Sequence, residues 1–238
     1  MNFAFSEEQD QLREFVRQFM EEKSPESAVR ELMETELGYD ADVWSQMAEQ
    51  MGLQSMIIPE EFGGQGFGFV ELIVVLEEMG RTLLCAPFFA SAVLATNAIL
   101  EGATDEQKAA LLPGLASGEV IGALAFTEQN GRWDEAGITM EAAGADGSYT
   151  LTGTKMYVLD GHVADLFIVA ARTASGVSLF SVDAQADGVT ATGLATMDQT
   201  RKQARVEFSG TPATLLGAEG AGWAALETVL DLAAVALA

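Results

Sequence analysis

The chain has 238 residues, of which 49% are hydrophobic, and it carries 36 acidic and 12 basic side chains for a formal net charge of −24. The apolar share is enough for a sizeable core, and the acidic balance favours solubility and a cytoplasmic protein. It argues against nucleic acid and anionic membranes as partners, because phosphate binding depends on clustered Lys and Arg. An anionic substrate would need the basic residues of the second half, which are Lys155, Arg172, Arg201, Lys202 and Arg205.

The sequence contains one cysteine, Cys85, and one histidine, His162, which leaves no intrachain disulfide and no multi-histidine metal site. Cys85 lies in an apolar stretch, so we expect a buried, inert thiol. His162 lies in a turn after a predicted strand and is expected to be structural. The first residues lack the pattern of an export signal, and the longest apolar run is too short to span a bilayer.

Helical patterns occupy about the first 117 residues. Ser6 and Gln9 form a capping-box pattern before an amphipathic helix, and Thr104 and Gln107 repeat that pattern further along. The glycine-rich segment 56–68 is predicted to be a turn between helices, because the strand, helix and lysine of a phosphate-binding loop are missing. The other predicted helices cover residues 41–51, 69–84 and 87–100.

From Val120 the pattern changes to short segments rich in β-branched and aromatic residues. Turn dipeptides separate several of them, namely Asp146-Gly147, Ser175-Gly176 and Asp187-Gly188. This spacing predicts an antiparallel sandwich or barrel. The predicted strands are residues 120–126, 138–142, 148–159, 166–171, 177–182, 189–194 and 204–208.

Near Leu215 the helical pattern returns, and residues 232–238 are almost entirely apolar. A helix that is apolar all round must be buried among other helices. None follows, so we expect a truncated chain or one that borrows neighbours from another chain. The predicted fold is therefore α+β, with an all-α N-terminal domain (1–117), an antiparallel β-barrel or sandwich domain (118–214) and the first helix of a truncated C-terminal helical bundle (215–238).

Two predicted strand ends form a candidate ligand site. The strand over residues 120–126 ends in a polar turn with Asn130-Gly131 at its tip, and residues 151–161 form a second strand that stops at a glycine. Backbone amides, a hydroxyl and an aromatic ring at these ends suit a flat ligand with polar edges. Two ordinary sheet edges with their turns would show the same pattern.

With its elements assigned, the chain resembles the acyl-CoA dehydrogenase family over nearly all its length. Individual motifs are modest, but their order and spacing agree with the family's. Ile58 to Gly66, for example, resembles the family's Val-Pro-Glu-Glu-Tyr-Gly-Gly loop, and Thr127-Glu128 resembles the start of its Thr-Glu-Pro-Gly-Ala-Gly-Ser-Asp turn. The other matching segments are residues 12–19, 105–119, 153–158 and 215–223.

The resemblance implies an N-terminal helical domain, a middle β-domain and a C-terminal bundle that carries most of the oligomer interface. It also implies FAD-dependent α,β-dehydrogenation of an acyl-CoA thioester in lipid β-oxidation, with a fatty acyl group or a steroid or bile-acid side chain as substrate. In the family, a carboxylate removes the α-proton, a hydride leaves the β-carbon for flavin N5, and electron-transfer flavoprotein accepts the electrons. Hydrogen bonds to the thioester oxygen stabilise the developing enolate.

The resemblance places seven residues at the flavin. Thr127 would offer its hydroxyl and amide to the ring edge, Tyr157 would replace a tryptophan wall, and Leu159 stands where a threonine is usual. In the pyrophosphate turn, Arg132-Trp133 replaces a Gly-Ser pair. The implied FAD-binding residues are Leu124, Phe126, Thr127, Trp133, Tyr157, Val158 and Leu159.

The resemblance assigns no catalytic base to this chain. Most members carry their glutamate further along than residue 238, and some carry it after a Leu-Asp-Leu sequence. The matching position here is Ala233, while Glu227 and Asp231 fit no motif and read as helix-surface charges. We therefore expect the base outside this segment.

Two interpretations follow. Thr127 and Tyr157 favour a catalytic FAD-dependent acyl-CoA dehydrogenase, as a homo-oligomer or with a related subunit. Trp133, Leu159 and Ala233 favour a flavin-poor, non-catalytic structural subunit of a heteromeric acyl-CoA dehydrogenase, similar to the paired subunits of actinobacterial steroid- and bile-acid-degrading enzymes. An oxidase or a flavin monooxygenase on the same fold is a further alternative. We expect the isolated chain to bind FAD weakly or not at all.

Overall fold

The computed structural model describes residues 4–145 and 147–238. Its first half is helical, as the sequence predicts, and the Ser6 cap is present in full. The Ser6 hydroxyl accepts a hydrogen bond from the backbone of Gln9, whose side chain bonds back to Ser6. The helices are α1 (Glu7–Lys23), α2 (Glu26–Glu34), α3 (Ala41–Glu49), α4 (Phe69–Arg81), α5 (Thr96–Gly102), α6 (Asp105–Ala116) and, after the strands, α7 (Gly222–Leu237).

Two features of this half depart from the sequence prediction. Helix α2 is additional, since Pro25 precedes a second helix and does not merely follow the first. Residues 87–100 do not form one α-helix, because Phe89–Ala95 is π-helical. There the Thr96 hydroxyl donates to the carbonyl oxygen of Ser91, five residues earlier. Irregular helical turns of this kind are rare and often lie near functional sites.

Seven strands form one curled, mixed sheet with the order β1-β4-β5-β7-β3-β2, and β6 pairs with β7. Opposite sides of the sheet meet where Met156 N donates to Thr127 O over 2.8 Å and Arg172 N donates to Met140 O over 2.8 Å, so the sheet closes like a barrel. The strands are β1 (Gly122–Ala125), β2 (Ala142–Ala145), β3 (Ser148–Leu159), β4 (Leu166–Thr173), β5 (Gly176–Asp183), β6 (Val189–Leu194) and β7 (Gln203–Leu216).

The α+β architecture is confirmed, but the expectation of a wholly antiparallel sheet is wrong in one pairing. Strand β1 runs parallel to β4, with Gly122 opposite Leu166. The other named pairs in the described part of the sheet are antiparallel. Parallel neighbours need a long crossover connection, and here β2 and β3 lie between β1 and β4 in the chain.

Two strand boundaries also differ from prediction. Strand β2 begins later than residue 138, because the backbone N–H groups of Thr139 and Met140 bond to the Glu128 carboxylate. Strand β7 does not stop at residue 208 and runs on to Leu216, with Gly210 at φ +66° where the β3–β7 register shifts. A glycine of this kind marks a bulge inside a strand. Of the predicted turns, Asp146 lies outside the described residues.

The core has two parts on opposite faces of β4. Leu166, Ile168 and Ala170 pack against the helices, while the alternate residues Phe167 and Val169 pack inside the curled sheet. This alternation is the ordinary period of a strand. Strand β4 is therefore buried on both faces.

Helix α7 buries one face against the core and leaves other apolar side chains exposed, in agreement with the expectation that its neighbours are missing from this chain. Leu226, Val229 and Ala233 face the core, whereas Val235 and Leu237 are exposed. Strand β7 extends past residue 214, so the helix starts later than Leu215.

The division into domains at residues 117 and 214 stays a prediction. No described helix is long and apolar enough to cross a membrane.

Candidate functional site

The end of β1 and a bulge in β3 meet at the surface, and we call this meeting point the β1–β3 junction (residues 126–128 and 155–157). The β3–β7 register shifts between Lys155 and Val158, which releases the backbone of Met156 to bond Thr127. Tyr157 consequently has φ +56° and a side chain that is 55% exposed. A non-glycine residue in this region of φ is uncommon and often marks a functional site.

Thr127 is the polar residue at the centre of the junction. Thr127 is 6% exposed, and its backbone carbonyl oxygen accepts the hydrogen bond from Met156 N. Within the described residues its hydroxyl makes no hydrogen bond. A hydroxyl with its partners unfilled, at a junction where the side chain of Tyr157 is exposed, suits the polar edge of a planar ligand.

A buried ion pair lies directly behind Thr127. Lys155 Nζ lies 2.8 Å from Glu128 Oε1 and 3.3 Å from the Phe126 carbonyl oxygen, and Lys155 is fully buried. Burial lowers the pKa of Lys155 to about 8, although the Glu128 carboxylate opposes this shift. Burial also disfavours ionised Glu128, but Lys155 and the hydrogen bonds from Thr139 and Met140 together hold the pKa of Glu128 below its usual range. The pair is therefore ionised at neutral pH.

The turn that follows β1 is tied by its own side chains. Asn130 Nδ2 donates to Gly137 O over 2.8 Å, and Asp134 Oδ1 accepts from Gly137 N at 2.9 Å. Arg132 forms an ion pair with Asp134 at 2.7 Å. Trp133 is 67% exposed and lies edge-on to Phe126, with ring centroids 5.3 Å apart. The large side chains of this turn are thus held in a defined arrangement.

Of the seven predicted cofactor residues, Trp133 and Tyr157 are exposed near the junction, whereas Thr127 is 6% exposed within it. Leu124 and Val158 are 3% and 2% exposed and belong to the two cores, so their side chains face away from any surface ligand. Phe126, which contacts Trp133, and Leu159 are part of or packed against the helical core. The role of all seven in FAD binding stays a prediction.

Sequence reasoning missed the role of Lys155, because a buried lysine cannot be told from an exposed one without its partner. The five basic residues considered for an anionic substrate do not form a cluster. Lys155 pairs with Glu128, and Arg205 pairs with Glu207. The others donate to main-chain carbonyl oxygens: Arg172 to Ile138 and Glu135, Arg201 to Leu84, and Lys202 to Met33.

Beyond Tyr157, the turn after β3 carries a second ionisable group, Asp160, which is partly buried. Asp160 has φ +50°, and burial raises the pKa of its carboxyl to about 7, against the influence of Arg201. Arg201 also lines a cavity of about 170 Å³ between the ends of α4 and α7. A cavity of about 460 Å³ lies on the other side of the junction, beside Glu128 and Thr139.

The single cysteine and histidine lie in structural settings. Cys85 is 3% exposed, and burial raises the pKa of its thiol. His162 Nε2 lies 3.1 Å from the carbonyl oxygen of Leu37 and so links the turn after β3 to the segment after α2. No cluster of metal-ligating side chains occurs in the part of the chain that the structure describes.

The fold and the junction define a helical layer packed on a curled β-sheet, with a surface site where two strands meet. The family model for the acyl-CoA dehydrogenase N-terminal domain matches residues 6–119, and the model for the middle domain matches residues 123–211. The chain belongs to the acyl-CoA dehydrogenase family.

Named relatives agree with this assignment. The chain is 33% identical over 210 residues to acyl-CoA dehydrogenase IpdE2 of Mycolicibacterium smegmatis. That match covers 88% of this chain and 54% of the relative, so the chain spans about half the length of the relative.

Solved structures are similar throughout the fold. The Tcur3481-Tcur3483 steroid ACAD variant has 30% identity and a TM-score of 0.85, covering 97% of this chain and 61% of that chain. The ChsE4-ChsE5 complex of Mycobacterium tuberculosis has 30% identity and a TM-score of 0.86, covering 99% and 64%. An acyl-CoA dehydrogenase from Bacillus anthracis, complexed with FAD, has 25% identity and a TM-score of 0.89, covering 98% and 41%.

Proposed function

We propose that this chain provides the N-terminal and middle parts of an FAD-dependent acyl-CoA dehydrogenase, which oxidises the Cα–Cβ bond of an acyl-CoA thioester. The observation that carries the proposal is the Thr127 hydroxyl, which has no hydrogen-bond partner among the described residues, at the β1–β3 junction where Tyr157 is exposed. Family membership supports it. The acidic balance supports a cytoplasmic protein.

The residues at the junction fit the ring of FAD. Thr127 would hydrogen-bond a polar ring-edge atom, and Tyr157 would cover part of the ring. FAD, when bound, supplies the acceptor for the hydride. The turn fits the pyrophosphate less well, because the Trp133 indole occupies its surface and the Arg132 guanidinium is already paired with Asp134.

We expect the catalytic base to lie outside this segment, because no carboxylate here matches the family's base by motif. Glu227 and Asp231 are exposed on α7, and Ala233 faces the core. Removal of the α-proton therefore falls to a carboxylate elsewhere, on a segment or subunit that completes the site. This chain would contribute orientation of the flavin, so that the bound thioester reacts from a fixed geometry.

A second candidate function is a flavin-poor structural subunit of a heteromeric acyl-CoA dehydrogenase. The bulk of Trp133 in the turn favours it, and similarity to the ChsE4-ChsE5 complex supports a hetero-oligomer with a related subunit. Similarity to a steroid ACAD supports a steroid or bile-acid side chain as the acyl group, with a fatty acyl group as the alternative. We propose electron-transfer flavoprotein as the electron acceptor.

The test is a flavin titration of the purified chain, alone and co-expressed with a candidate related subunit from the same organism. Weak binding alone, with a yellow and active complex on co-expression, supports a chain that shares its site with a partner. Stoichiometric FAD in the isolated chain favours the catalytic interpretation. Absence of flavin both alone and in a stable complex overturns the flavin site and leaves the structural subunit.

A further inference from the structure

We propose that Lys155 and Glu128 are positioning residues, which hold the Thr127 hydroxyl at the ligand-facing edge of the β1–β3 junction. The inference rests on the proposed FAD site and adds to it two residues that themselves touch no ligand.

The geometry on the β3 side is a clamp around Thr127. The Lys155 ammonium bonds Phe126 O and the Glu128 carboxylate, the residues immediately before and after Thr127. Met156, the next residue of β3, bonds the carbonyl oxygen of Thr127 itself. Two consecutive residues of β3 thus hold three consecutive residues after β1.

The Glu128 carboxylate extends the clamp to the far end of the turn. It accepts hydrogen bonds from Thr139 N at 3.0 and 3.1 Å and from Met140 N at 3.0 Å, and a further one from the Thr139 hydroxyl. Both ends of the turn that carries Trp133 are therefore fixed to one carboxylate. Within residues 126–128, the Thr127 hydroxyl is the one side-chain polar group left without a partner.

The chemistry of this pair points to geometry more than to stability. Replacing a buried ion pair by apolar residues of similar volume often leaves stability unchanged or higher. Here the pair also supplies partners for a carbonyl oxygen and two backbone N–H groups, which apolar side chains cannot bond. Loss of the pair would free the 126–128 segment to rotate, and the Thr127 hydroxyl would lose its fixed direction.

A double-mutant cycle tests this coupling, because residues that act through one another give non-additive effects. The measured quantity is FAD affinity, from the quenching of flavin fluorescence as the chain, alone or in complex with a related subunit, is titrated into FAD. Thr127→Val removes one hydrogen bond and should weaken binding about fivefold to tenfold. In a Lys155→Met background, where the hydroxyl is already misdirected, the same substitution should change affinity less than about twofold.

Glu78→Gln is the matched control, because Glu78 is another buried, ion-paired carboxylate but lies on α4. In that background Thr127→Val should keep its full effect. If Lys155→Met does not fold, Glu128→Gln replaces it, since the amide retains the shape of the carboxylate and loses the charge.

Full additivity of Thr127→Val with the folded Lys155 or Glu128 variant would overturn the positioning role, while leaving the FAD site intact. A wild-type chain that binds no FAD either alone or in a stable complex with a related subunit would overturn the FAD site and this inference together. If Thr127→Val has a smaller effect only in the Lys155 and Glu128 backgrounds, the result would establish both the FAD site and the positioning role.

Discussion

Arg17 of α1 donates two parallel hydrogen bonds to Glu78 of α4, from Nε to Oε2 at 3.0 Å and from Nη2 to Oε1 at 2.7 Å. Glu78 is 1% exposed, and Arg81 adds a third bond at 2.9 Å. Fork-like pairing of this type is geometrically specific and stronger than a neutral hydrogen bond. It joins the first helix to the fourth across about 60 residues of sequence and fixes the helical layer on which the sheet rests.

Glu78→Gln should lower the free energy of unfolding by about 2–3 kcal/mol at pH 7, because charged hydrogen bonds are lost inside the protein. The hydrogen bond from Arg17 is the main cause that holds the pKa of Glu78 below the ordinary glutamate value of 4.5. The ionised form therefore stabilises the fold above that value, and this contribution is lost as the pH falls through the folded pKa. Urea unfolding should show the variant and wild type converging in acid. Glu77→Gln, on the same helix but with a 60% exposed side chain, is the control and should cost less than about 1 kcal/mol.

Asp160→Asn should have the opposite pH signature. Burial raises the pKa of Asp160 from 3.8 to about 7, so the folded state holds its proton more tightly than the unfolded state. The resulting stability is complete below pH 3.8 and is lost as the pH rises through 7. The variant should gain about 1–4 kcal/mol over wild type at pH 8 and little at pH 4. Asparagine also tolerates the positive φ at this position.

Thermal unfolding at both pH values measures the effect at Asp160. Asp187→Asn, in an exposed turn, should stay within about 0.5 kcal/mol of wild type at either pH. An Asp160 variant with the same stability gain at pH 4 and pH 8 would contradict the assignment of the raised pKa.

Trp133→Ser should strengthen FAD binding by about tenfold, since removing the indole opens the turn to the pyrophosphate. The hydrogen bonds that shape the turn involve Asn130 and Asp134, so they survive the change. Loss of the edge-on contact with Phe126 should cost about 0.5–1.5 kcal/mol of stability. Trp133→Tyr keeps an aromatic ring and serves as the control in the same fluorescence titration. An unchanged affinity in Trp133→Ser would show that the indole does not weaken FAD binding.

Native Cys85 should resist modification by thiol reagents. The thiol is 3% exposed, and burial raises its pKa, so little reactive thiolate forms near neutral pH. A chromogenic disulfide reagent at pH 8 should label less than about one tenth of the protein on the timescale of full labelling in urea. Rapid labelling of the folded chain would place this thiol at an accessible site.

Local signals in the sequence predicted the helices and most strands, whereas contacts distant in sequence were not accessible to it. The cap at Ser6 and the bounds of β3 and β6 depend on neighbouring residues and were predicted correctly. The parallel pairing of β1 and the continuation of β7 through Gly210 depend on partner strands, so periodicity alone could not reveal them.

The candidate site shows the same division. The resemblance pointed to Thr127 and Tyr157, which the structure brings to the same β1–β3 junction. It did not indicate that strand alternation would place the side chains of Leu124 and Val158 in the two cores. Nor did it identify the clamp, because Lys155 meets Glu128 only after the sheet has curled.

The burial of β4 on both faces has a consequence for how the molecule comes apart. Its odd-numbered residues pack inside the sheet, and its even-numbered residues pack under the helices. Strand β4 is therefore part of both cores, and neither core can open without exposing apolar residues of this strand to water. Separation of the layers would uncover apolar surface on both at once. The helical layer and the sheet should therefore melt in a single cooperative transition, with no half-folded species accumulating between the native and unfolded chain.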